Sequence, residues 1–175
     1  VAEIKKQAEA GLLATYESER VPHVQKYIDT AIKLGGLINA TDPTNAFERS
    51  KKNTKNGTTM KSLYPELGIG LGSFLGSNLK KHRGLIASQP RLSKNQLMDD
   101  LSGYKSVFIS RSPIKGLLTN ISELPFLCID TIAEPGLNQF LDDLSVEAVL
   151  IRPDRYILGT AKSFDEQEAL ISIRY

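Results

Sequence analysis

The run Val146 to Ile151 (VEAVLI) is short and mostly apolar. Val146, Ala148 and Leu150 alternate with Val149 and Ile151, so a strand here is apolar on both faces and belongs inside a sheet covered on both sides. Arg152-Pro153-Asp154-Arg155 breaks the pattern. Pro153 presets φ for the first corner of a tight turn, and Asp154 suits the second. Tyr156 to Thr160 reads as the returning strand, which makes the stretch a β-hairpin. Upstream, Lys105 to Ser110 (KSVFIS) and Phe126 to Thr131 (FLCIDT) are strand candidates. Ser112 to Leu124 between them is turn-like and then helical, and Gln96 to Leu101 suits a short helix. In Pro135 to Leu144, the residues Leu137, Phe140, Leu141 and Leu144 recur at spacings of three and four, which predicts a helix. A last helix spans Ser163 to Tyr175, with Ser163 as its cap and Asp165 and Glu166 in the first turn. The order is strand, helix, strand, helix, strand, strand, helix. It predicts an α/β module with early parallel crossovers and a late antiparallel edge, and it matches a thioredoxin-like fold.

The first half of the chain has a helical period. Residues 2 to 20 read as helix, with Leu12, Leu13, Tyr16 and Arg20 on one face. Pro22 lacks a backbone donor and disfavours helix at Val21, so a kink or a break is expected there. A second helix follows from His23 to Leu34, with Val24, Tyr27, Ile28 and Ala31 as its apolar stripe and Gly35-Gly36 as its stop. Thr41-Asp42-Pro43 starts a short helix over Thr44 to Lys51. The polar, basic stretch SKKNTKNGTTMKS then reads as a solvated loop. Leu63 to Ile86 is dense in glycine and reads as an irregular, packed connection. The organisation expected is a helical segment over 1–53, a linker over 54–88 and a thioredoxin-like domain over 89–175.

Composition narrows the function classes. Among 175 residues, 41% are hydrophobic and 24% charged, as in an ordinary globular protein. A net charge of +2, with basic residues interspersed among 20 acidic ones, does not suit a nucleic-acid partner. A single cysteine forbids an internal disulfide, and no Cys/His cluster has zinc spacing. No apolar run approaches the roughly 20 residues of a membrane span. A cytoplasmic setting is the simple expectation. The first residue is Val1, and the chain opens inside helix-forming sequence, which suggests part of a longer polypeptide. The apolar stripes of the first helices exceed what a small domain would cover, so a homodimer is expected.

No catalytic, cofactor-binding or metal-ligating set emerges from the residues. Cys128 is alone and lies mid-strand, whereas a redox dithiol needs two cysteines at a helix start. Gly68, Gly70, Gly72 and Gly76 miss the spacing of a dinucleotide loop, since Ser73 or Leu75 falls where the third glycine belongs. His23 and His82 lack partners for metal or nucleophile chemistry and read as exposed or helix-capping residues. Asp99-Asp100 and Asp142-Asp143 read as solvated surface carboxylates. Three Asn-x-Ser/Thr matches, at Asn39, Asn56 and Asn120, are too short to imply secretion.

Two stretches carry a family resemblance. Leu12 to His23 (LLATYESERVPH) resembles the L-L-x-x-Y-x-x-E-R-x-P segment of FAD-dependent aromatic-ring hydroxylases, and Ala148 to Ile157 (AVLIRPDRYI) is similar to their C-terminal V-L-V-R-P-D-x-x-V. Leu63 to Gly68 and Gln89 to Leu92 resemble further segments in the same order. Phenol hydroxylase and 3-(3-hydroxyphenyl)propionate hydroxylase are members of the family that these motifs resemble. The resemblance implies the C-terminal part of such a flavoprotein, whose missing N-terminal domains bind FAD and substrate and use NAD(P)H and oxygen to hydroxylate an aromatic ring. It implies a thioredoxin-like C-terminal domain lacking the CxxC, with a structural and subunit-contact role. It gives Tyr16, Glu19, Arg20, Arg152, Pro153 and Asp154 as structural motif residues, the helix pairing its charge against the missing domain. No FAD-binding residue carries over, because the flavin motifs are absent. Arg155 stands where glycine is frequent after Pro-Asp, which points to a different turn. The rival reading is a self-standing, redox-inactive thioredoxin-like binding module.

Overall fold

The computed structural model describes residues 12–38, 63–70, 75–114 and 126–173. Residues 2–11 of the helix expected over 2–20, the helix expected over 44–51, residues 115–124 of the stretch 112–124 and the whole basic loop 50–62 lie outside the described residues. Helix α1 spans Leu12–Ile38. A short helix α2 (Met98–Ser102) leads into strand β1 (Ser106–Ser110), followed by β2 (Phe126–Asp130), helix α3 (Leu137–Leu144), β3 (Ala148–Ile151), β4 (Ile157–Ala161) and helix α4 (Phe164–Ile171).

The four strands form one sheet in the order β2-β1-β3-β4. β1 and β2 are parallel, Phe108 facing Cys128. The crossover through α3 returns antiparallel, Phe108 against Leu150. The hairpin is antiparallel, with Ala148 opposite Ala161 and a register shift between Leu150 and Ile151. Parallel pairing is thus confined to one pair.

Every residue of β1, β3 and β4 is buried, as expected for a sheet with two covered faces. On one face Val107, Ile109, Val149 and Ile151 pack with Met98, Leu137, Phe140 and Leu141 of α2 and α3. On the other, Phe108, Ala148, Leu150 and Leu158 pack with Leu170 and Ile171 of α4 and with Leu75 and Leu79. The last two lie in the stretch read as connection. Val146 precedes β3 and joins the first cluster, opposite to Ala148 and Leu150. Cys128 sits mid-strand in β2 against the second cluster. Burial pushes its thiol up to about 11. Alkylation by iodoacetamide at pH 8 is therefore expected to be far slower than in urea-unfolded chain; equal rates would contradict this placement.

Two helical expectations are corrected. The break at Val21–Pro22 is absent, since α1 runs through Pro22. A mid-helix proline leaves a carbonyl one turn earlier without its usual donor. Here the neighbouring Glu19 carbonyl accepts from the Gly68 N–H at 2.9 Å, and the Pro22 ring packs close to Gly68. A crossing segment therefore packs against the helix at the proline. Nor do Gly35 and Gly36 stop the helix, which continues to Ile38.

The cap of α4 is as expected: Ser163 Oγ accepts from the Glu166 N–H at 3.2 Å. Glu166 in turn accepts from the Lys162 N–H at 2.6 Å and from Asn78 at 3.1 Å. The Lys162 bond first and the Asn78 bond second hold its carboxyl below the usual range. A depressed acid stabilises the fold above its unfolded pKa, and this contribution disappears as pH falls through the lowered value. Ser163→Ala is expected to lower stability by about 1 kcal/mol in urea titration; an unchanged midpoint would show that the cap contributes nothing.

Candidate functional site

The two motif stretches meet. The hairpin turn is closed by the Arg155 N–H donating to Arg152 O at 3.0 Å, with the Arg152 N–H donating to Tyr156 O at 2.9 Å. Pro153 and Asp154 occupy its two corners. Asp154 Oδ1 accepts from Arg152 Nε at 3.1 Å, and Oδ2 accepts from the NH2 group at 2.8 Å. This side-on fork fixes the guanidinium plane. The remaining NH1 then reaches Glu19 Oε1 at 2.6 Å, across 133 residues of sequence. The Glu19 side chain is only 6% exposed and that of Arg152 13%. Burial alone would lower the Arg152 pKa, but the Glu19 hydrogen bond and the Asp154 charge outweigh it and hold it raised.

Arg20 adds a weaker contact. Its NH2 lies 3.5 Å from Asp154 Oδ2, both side chains about one-third exposed. Such a pair contributes about 0–1 kcal/mol. The Arg20 guanidinium also sits 5.3 Å from the centre of the Tyr156 ring, worth a further ~0.5–1 kcal/mol. Glu19 and Arg20 of α1 thus both pair with the chain's own hairpin. Tyr16 does not join them: it is 65% exposed.

His23 continues the same helix face. It is buried, contrary to the exposed or capping role expected from its place beside Pro22. Its Nδ1 lies 2.9 Å from Pro65 O. A carbonyl only accepts, so Nδ1 carries the proton. The ring meets Tyr27 and Tyr156 edge-on at 5.3 and 5.9 Å, and the Tyr27 hydroxyl donates to Leu63 O at 3.2 Å. His82 matches the capping expectation: its Nε2 donates to Leu144 O, in the last turn of α3, at 2.8 Å.

Segment 63–70 ties helix to sheet. Its Leu67 N–H donates to Gly84 O, the Gly84 N–H donates to Ile157 O in β4, and each bond is 2.9 Å. Gly68 and Gly70 permit the approach to α1. A Cβ on Gly68 would lie 1.9 Å from Ser18 O, and one on Gly70 would lie 1.8 Å from Glu19 Cγ. The glycines missing from a nucleotide-loop pattern are thus sites of close helix contact.

Arg155 adopts φ +69°, the conformation a glycine would take, so the turn keeps the backbone its sequence argues against. Its side chain offsets the strain by donating to Ser102 Oγ and Gly103 O, both at 2.8 Å, and by pairing with Asp99. The acidic pairs are accordingly more than solvated surface. Asp99 binds Arg155, Asp100 accepts from the Leu97 N–H at 3.1 Å, and Asp142 binds Arg111 at 2.8 Å.

Glu19 and Arg20 of α1 with Arg152 and Asp154 of the hairpin thus form a clasp between helix and sheet. Its carboxylates and guanidinia are directed at one another, and α1 fills the space beside Gly68 and Gly70 where a pyrophosphate would need room. These residues do not fit an FAD. Among the described residues, no group of three or more His, Cys, Asp or Glu is placed to hold a metal, and no helix is long and apolar enough to cross a membrane. No helical or strand period announces the Glu19–Arg152 contact. The only sequence signal was an opposite charge in each of two family-like motifs.

The chain is 26% identical over 183 aligned positions to a probable NADH-specific resorcinol 4-hydroxylase of Rhodococcus jostii (strain RHA1). The chain thus aligns with part of that hydroxylase. The match takes in 91% of this chain and 33% of the hydroxylase, so the chain spans about a third of its relative's length. No protein-family model matches. Among solved structures, RebC-10x soaked with chromopyrrolic acid and holding 7-carboxy-K252c superposes with a TM-score of 0.59 at 20% identity, covering 97% of this chain and 37% of that one. RebC soaked with K252c gives 0.58 at 19%, again over 97% and 37%. These likenesses are of fold. The hydroxylase match agrees with the family that the Leu12 to His23 and Ala148 to Ile157 motifs indicate.

Proposed function

We propose that this chain is the C-terminal, structural and subunit-contact region of an FAD-dependent aromatic-ring hydroxylase. The observation that carries the reading is the hydroxylase match, which takes in nearly the whole of this chain but a third of the relative. The clasp adds support, because the two family-like motifs form one contact between Glu19 and Arg152. In this reading FAD, NAD(P)H and the aromatic substrate belong to the remaining two-thirds of the protein. The sheet domain is thioredoxin-like without a dithiol. Its strand order β2-β1-β3-β4, with one parallel pair and an antiparallel hairpin edge, supports that assignment. A partly buried thiol with a raised pKa, as at Cys128, is the reverse of what disulfide exchange requires.

The test is the complete reading frame. Its product is expected to be yellow and to oxidise NADH in the presence of resorcinol or a related phenol, while the 175-residue chain remains colourless. A start codon directly before Val1, or tight FAD binding by the isolated chain, would sink the proposal. The subunit-contact role predicts a dimer of the full product by light scattering; a strict monomer would defeat that part.

A further inference from the structure

The clasp uses one face of α1 and leaves another open. Val21, Val24, Ile28 and Ile32 are all exposed, Val21 by 56% and Ile32 by 67%. Their spacing of three, four and four places them in one stripe. At about 100° per residue, this stripe lies roughly a third of a turn round the helix from the face of Glu19, Arg20, His23 and Tyr27. While the clasp is closed, the sheet domain is therefore turned away from the stripe. Beside it the helix is polar: Gln25 donates to Asp29 at 2.8 Å, one turn along. A helix clasped on one side and apolar on another is shaped to lie between two bodies.

Resting on the hydroxylase reading above, we propose that this stripe is the seat of the remainder of the same polypeptide. The first argument is the missing length, since two-thirds of the resorcinol hydroxylase has no counterpart in this chain. The second is area. Four aliphatic side chains, already about half covered, offer far less than the ~800 Å² per partner of a stable free interface. A contact within one chain needs less, because tethering raises the effective concentration to about millimolar. The stripe suits such a tethered contact better than the second copy that its apolar character alone would suggest.

The experiment compares hydrogen exchange of α1 in the 175-residue chain and in the complete reading-frame product, each with and without Val24→Asp and Ile28→Asp together. In the full product, amides over residues 20–33 are expected to exchange at least tenfold more slowly than in the isolated chain. The double variant should return them to the isolated-chain rate while leaving the isolated chain's urea midpoint unchanged. A yellow full product whose α1 is no better protected would overturn the seat and leave the hydroxylase reading standing. A product without flavin would defeat that reading and the seat with it. An isolated chain that is dimeric by light scattering and that the double variant makes monomeric would assign the stripe to a second copy instead.

Discussion

Arg152→Met is expected to lower the stability of the chain by about 3–5 kcal/mol, because it breaks a buried ion pair by removing the guanidinium 2.6 Å from the Glu19 carboxylate. The loss has a ceiling. If α1 leaves the hairpin, Glu19 regains water, so the cost cannot exceed the free energy that docks the helix. Below that ceiling the variant unfolds at lower urea; at the ceiling it keeps a folded sheet with a detached α1. Far-UV circular dichroism against urea, with hydrogen exchange over residues 15–27, separates the two. Restoring charge balance with Glu19→Gln in the same chain should recover most of the loss, because removing both charges also removes their desolvation cost. Arg20→Met serves as the control. It breaks only the outer pair with Asp154, at 3.5 Å, and should cost about 0.5–2 kcal/mol with its ring contact included. An Arg152→Met loss no larger than that of Arg20→Met would show that the inner pair is not the energetic centre.

The difference between these arginines explains what the sequence could disclose. The sheet domain was legible because its rules are local. Alternation at Val149 and Leu150 marks a strand, the spacing of Leu137, Phe140 and Leu141 marks a helix, and Ser163 before Asp165 and Glu166 marks a cap. The clasp was not legible because its parts lie 133 and 134 residues apart. The resemblance marks Glu19 and Arg152 as structural motif residues, but nothing local pairs one with the other until the fold brings them together. The same limit accounts for His23. Beside a proline it suggested a helix terminus, but a backbone segment from elsewhere covers it and accepts a hydrogen bond from its Nδ1–H at Pro65 O. Likewise the break expected at Pro22 follows from the isolated helix, and the Gly68 N–H bonded to the Glu19 carbonyl belongs to another part of the chain.

That crossing yields the second large effect. Gly68→Ala places a methyl 1.9 Å from the Ser18 carbonyl oxygen, which is a backbone atom and cannot turn aside as a side chain would. Overpacking of this kind costs about 1–3 kcal/mol or more. Relief requires segment 63–70 to lift from α1, which would release the Gly68–Glu19 backbone bond and uncover His23 and the inner face of the clasp. The same substitution at Gly36 meets nothing within 4 Å. There the added methyl removes the backbone freedom of a helical glycine, and Gly36→Ala should raise stability by about 0.5–1 kcal/mol. One chemical change is thus predicted to act with opposite signs at two glycines, depending on whether another part of the chain crosses the helix there. Urea titration of both variants decides it. Equal shifts would mean that segment 63–70 does not bear on the helix, and the glycines at 68 and 70 would again be no more than a flexible connection.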